Sequence, residues 1–128
     1  MSKMSNYLED KLVDHVLRNT AYTPATKVYV GLYTSDPTDA KTGVEVSGGA
    51  YARQEVTFDA SSGGATANSA DVTFPVATAS WGTVTHLGLL DASMAGNLLL
   101  HGELNTARTI STDNQLVFLA GEITVTFD

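Results

Sequence analysis

The sequence predicts a mainly β protein: an antiparallel β-sandwich, jelly-roll or Ig-like, of about seven strands with one N-terminal amphipathic helix. Three observations carry that expectation. Apolar and polar residues alternate in short runs, the period of a pleated strand. Clusters of Gly, Ser, Asn, Asp and Pro interrupt those runs at short intervals. Only the first twenty or so residues carry a helical period.

The helix comes first. Leu8, Leu12 and Val16 fall at i, i+4 and i+8, and Val13 and Leu17 widen the stripe, so one face from Asn6 to Arg18 is apolar. Asn6 and Glu9 have the spacing of a capping box, in which each side chain satisfies a free backbone amide. Asn19 and Thr20 end the helix, and Pro24 sets Thr23 extended. A helix this short is not stable in isolation, so it must lie on a sheet or on another chain.

From Lys27 the period becomes two. Val28, Val30 and Leu32 point one way, while Tyr29, Gly31 and Tyr33 point the other, giving a strand either buried on both sides or lined by tyrosines on one. Residues 35–39 are dense in turn formers and open a long loop spanning 35–49. Further strands are expected over 51–58, 71–76, 83–90, 98–104, 115–119 and 122–127. In the last of them Ile123, Val125 and Phe127 alternate against Thr124 and Thr126. Asp59 and Asp91 each open an Asp-Ala-Ser turn, where the carboxylate can accept from the backbone ahead. No fixed-period repeat is visible. The expected organisation is one domain over 1–128, with the helix inside 1–20 and the sandwich over 26–128.

Composition narrows the function classes. The apolar share of 43% and charged share of 16% belong to a globular chain whose polarity comes from Thr, Ser, Asn and Gly. Low charge suits a protein packed against neighbours. Seven basic residues oppose fourteen acidic ones, for a net charge of −7. The basic residues are scattered at Lys3, Lys11, Arg18, Lys27, Lys41, Arg53 and Arg108, so no nucleic-acid partner is expected. With no cysteine there is neither a disulfide nor a thiolate metal site. The first residues lack a signal-peptide core and no run is long enough for a membrane helix, so synthesis in the cytoplasm and no membrane partner are expected.

Candidate chemistry is sparse. His86 and His101 lie on consecutive strands, and Glu103 shares a strand face with His101, a set that a metal could in principle use. Strand histidines more often pack or hydrogen-bond. The acidic loop at Asp36 and Asp39, with Glu45 beyond, lacks the alternating oxygen ligands of a calcium loop and reads as turn chemistry. No G-x-S-x-G elbow occurs, and the Gly-rich pieces at 47–49 and 62–65 lack the Lys of a phosphate loop. Neither a catalytic residue, nor a cofactor, nor a metal is expected. Trp81, ahead of Gly82, reads as a packing anchor. Tyr22, Tyr29, Tyr33 and Tyr51 could form an exposed patch, which would mark an interface rather than catalysis. The interface candidates are Tyr29, Tyr33, Asp36, Asp39, Tyr51 and Trp81.

Several ordered blocks carry a resemblance. They are Asn6-Tyr7-Leu8-Glu9; Val28-Tyr29-Val30-Gly31-Leu32-Tyr33-Thr34-Ser35-Asp36-Pro37-Thr38-Asp39; Glu45-Val46-Ser47-Gly48-Gly49-Ala50-Tyr51-Ala52-Arg53-Gln54; Val72-Thr73-Phe74-Pro75; and Trp81-Gly82-Thr83-Val84-Thr85-His86-Leu87-Gly88. Over nearly its whole length the chain resembles a family of small tailed-bacteriophage virion structural proteins, tail-fibre-like or head decoration and cement proteins. The resemblance implies a virion location and no enzymatic activity. Its first implication is a capsid decoration protein bound to the major capsid protein and to copies of itself, as a homo-oligomer with a trimer as the candidate state. Its second is a tail-fibre or baseplate component bound to other tail proteins.

Overall fold

A computed structural model describes residues 2–127; Met1 and Asp128, the ends of the expected domain, lie outside the described residues. The chain is mainly β and all its strand pairs are antiparallel. In chain order come β1 (Lys3–Met4), α1 (Asn6–Leu17), β2 (Val28–Tyr33), β3 (Gln54–Val56) and β4 (Ala65–Ala67). Then follow β5 (Val72–Thr73), β6 (Gly82–Leu90), β7 (Leu98–Ile110), β8 (Val117–Phe118) and β9 (Thr124–Thr126). The main sheet has five strands in the order β1-β7-β6-β2-β3, and two ribbons, β4-β9 and β5-β8, complete the β structure.

Among the described residues nine strands form rather than about seven, and the second layer is two ribbons rather than a continuous sheet. Strand β1 is too short to show a period. Strand β4 is Ala-Thr-Ala beside Gly63 and Gly64, which reads as turn and becomes strand only by pairing with β9. Strand β7 continues past the expected 104 because its polar second half pairs with the start of β6, Gly82 opposite Ile110.

Register explains where the core sits. Val30 and Leu32 lie opposite Leu89 and Leu87, which places all four on one face of the sheet. That face packs on Phe74, Leu116, Phe118, Ile123 and Val125 from the ribbon layer. Phe74 stands edge-on to Trp81 and Phe118 at ring separations of 6.4 and 6.3 Å, an arrangement suited to the ring quadrupoles.

The helix is capped by Ser5 rather than by the expected Asn6: the Ser5 hydroxyl accepts from the Leu8 amide, and Asn6 is the first helical residue. Ser5 is better placed because its hydroxyl also donates to the Leu98 carbonyl, tying the cap to β7. Leu8 is buried against the sheet and Leu12 half-buried. The helix stops where Asn19 turns left-handed (φ 53°) and the Thr20 amide returns to the Asp14 carbonyl.

Candidate functional site

The second face of the main sheet carries the residues singled out from the sequence. Gly31 and Gly88 lie opposite each other on β2 and β6, and the Tyr33 ring occupies the space they leave. A Cβ on Gly88 would stand 2.7 Å from that ring, so the close approach requires glycine. Tyr33, Leu90 and Leu98 form a small second core there. Burial, followed by the nearby Glu45 charge, pushes the Tyr33 hydroxyl up to about 12.

The loop after β2 folds back over this face. Asp36 accepts from the Thr38 amide, the expected turn, and that hydrogen bond is the main reason its carboxyl sits below the usual range. Glu45 returns to bridge Tyr33, and the Val46 amide donates to the Leu32 carbonyl, so the excursion ends alongside β2. The Glu45 carboxylate is then fully engaged. Arg53 holds it with two hydrogen bonds of 2.8 Å, and the Tyr51 hydroxyl donates at 2.6 Å while accepting from the Leu32 amide. Arg53 also donates to the Ala92 and Ala95 carbonyls, each at 2.8 Å, which pins the β6–β7 turn. Burial raises the Glu45 carboxyl, but the Arg53 and Tyr51 hydrogen bonds outweigh it and hold the group low. For Tyr51 burial and the Glu45 hydrogen bond act together, and its hydroxyl is pushed up.

A second clamp lies nearby. His101 is buried, its Nε2–H donates to Asp39 at 2.7 Å, and its Nδ1 lies 3.7 Å from Asp36. The Asp39 carbonyl accepts from the Asn6 amide, so the loop also touches the start of the helix.

These contacts correct the expectation of an exposed aromatic patch. Tyr33 and Trp81 are 2% and 4% exposed, and Tyr22, Tyr29 and Tyr51 are partly buried. Trp81 is an anchor, its indole N–H donating to the Gly49 carbonyl at 2.8 Å. Of the six interface candidates only Asp36 and Asp39 are exposed, and both are engaged by the fold. His86 bonds to the Thr85 hydroxyl and His101 to Asp39, and no group of three His, Asp or Glu among the described residues is placed to hold an ion. Asp91 does close its turn, accepting from the Asn97 amide at 2.7 Å. At Asp59 the contacts run through the backbone instead.

The exposed apolar surface is elsewhere. Val13, Val16 and Leu17 on the last turns of α1 are 53%, 71% and 76% exposed. They project beyond the part of the helix that lies on β7, at spacings of three and four that place them on one side. The helical period showed this stripe but not which half of it the sheet covers.

The ionisable groups on this face thus clamp the protein's own loops, while an apolar stripe on the helix stays uncovered. Residues 3–126 match the model of the Podophage GP4 fiber I protein gp80 family, and the chain belongs to that family of phage fibre proteins. No curated protein matches it.

Proposed function

We propose that the chain is a non-enzymatic structural subunit of a phage tail fibre, acting through contacts with copies of itself and with other tail proteins. The observation that carries this is the match of residues 3–126 to a fibre protein. It favours the tail over the capsid surface, the first of the two locations implied by the sequence resemblance. The stripe of Val13, Val16 and Leu17 supplies an apolar contact surface, and the low charge suits a subunit packed against neighbours. Asp36 and Asp39 stand exposed on the loop beside the start of the helix, where surface charges tune association more than affinity.

Fractionation of purified virions tests the reading. The protein should follow the tails and be present in a handful of copies per particle. Recovery with emptied heads, in numbers comparable to the capsid protein, would return it to the capsid surface. Leu17→Asp should block incorporation into particles while leaving the isolated chain folded, because that residue is 76% exposed.

A further inference from the structure

Three polar side chains are buried among the described residues: Ser5, Asn68 and His101. Ser5 and Asn68 bond to backbone groups. His101 differs, because both of its ring nitrogens face carboxylates of one loop. Its Nε2–H donates to Asp39 at 2.7 Å, and its Nδ1 stands 3.7 Å from Asp36. A neutral imidazole carries a single N–H, so with Nε2 serving Asp39 it turns a lone pair toward Asp36. An imidazolium carries two and can donate to both carboxylates. Asp36 need close only about 1 Å to complete that second, charge-assisted bond.

The loop that His101 holds reaches two further elements. The Asp39 carbonyl accepts from the Asn6 amide at the start of α1, and Lys41 Nζ donates to the Gly96 carbonyl of the β6–β7 turn at 2.7 Å. Within residues 35–43 the Thr42 amide returns to the Pro37 carbonyl, which keeps the loop compact.

Other charged groups border the ring. Lys3 lies opposite His101 on β1; Glu103 follows on the same face of β7, opposite His86 on β6. Lys3 and His86 act on Asp36 as well, but the Thr38 amide is the main reason its carboxyl sits below the usual range. Asp36 therefore stays charged wherever a histidine titrates. On β2 the Tyr33 hydroxyl, pushed up to about 12, stays neutral there, and Glu45 is committed to Arg53. From α1 the loop is met by Asn6, which does not titrate.

We propose that residues 35–43 form a pH-sensitive strap, fastened to β7 at two points when His101 is charged and at one when it is neutral. The second bond belongs to the charged ring, so the strap is tight in mild acid. It slackens as pH rises through the range, between about 5 and 8, in which histidines lose their charge. Slackening loosens the loop's contacts with the start of α1 and with the β6–β7 turn. The strap is defined on the isolated chain and does not rest on the fibre assignment.

Hydrogen exchange of the full chain at about pH 5.5 and about pH 7.5, with labelling times scaled to the intrinsic rates, tests the strap. Peptides covering 35–43 should be at least roughly fivefold better protected at the lower pH, the effect one charge-assisted hydrogen bond allows. Peptides covering β6 should be equally protected at both. His101→Gln keeps a donor for Asp39 but cannot gain charge, and should abolish the difference. Asp36→Asn, on an exposed side chain, removes the second carboxylate and should abolish it too, whereas His86→Gln should leave it intact. Equal protection of 35–43 at the two pH values overturns the proposal. So does a difference that survives in His101→Gln or Asp36→Asn, or one that disappears in His86→Gln.

Discussion

Arg53 and Arg108 sit on the same fold and do opposite things. Arg53 has a side chain 7% exposed and makes four hydrogen bonds, two to Glu45 and two to carbonyls of the β6–β7 turn. Arg108 is exposed, rests over one ring and makes no ion pair within the described chain. The first region is polar because a long loop had to be fastened to a sheet face without leaving buried groups unpaired. The second is polar without any need of the fold. Polar residues clustered on one face of this fold mark what it had to fasten.

Substitutions separate the two regions. The largest effect is expected from Arg53→Ala, which strands a half-buried carboxylate and two carbonyls and should cost about 2–4 kcal/mol in denaturant unfolding. His101→Ala leaves Asp39 without its donor and a small cavity behind β7, and should cost about 1–3 kcal/mol by the same measurement. The acid side of the stability profile comes next. Because the folded state holds the Glu45 carboxyl below its ordinary value of 4.5, its contribution is present above that pH and is lost as pH falls through the lower folded value. The thermal midpoint should therefore decline below about pH 4.5, and Glu45→Gln should flatten that decline. The smallest effect is expected from Asn105→Ala, within about 0.5 kcal/mol of the parent.

The same contrast separates what the sequence made legible from what it did not. Strand β9 follows from alternation, because one of its faces meets the core, and β2 and β6 from apolar runs buried on both faces over their second halves. The helix follows from its period, displaced by one residue at the cap because Ser5 has a tertiary partner in Leu98 that local spacing does not reveal. The burial of Tyr33 stays ambiguous in the sequence for a related reason. Alternation puts it on the second face, but whether that face meets water depends on where residues 35–49 lie, which is a long-range matter. Arg53 and Glu45 are eight residues apart in a stretch that reads as strand and loop, and their pairing has no local signal. The β7 bulge, between Glu103 and Arg108, was least accessible: the expected strand stops at residue 104, and the extrusion beyond it depends on how β6 and β7 register at both ends.

Side-by-side thermal unfolding of Arg53→Ala and Arg108→Ala tests the division most directly. Arg53→Ala should lower the midpoint by roughly 6–20 °C, while Arg108→Ala should stay within about 3 °C of the parent chain. Equal losses for the two variants would contradict the account, because they would make Arg108 as much a part of the fold's own fastening as the Glu45 clamp.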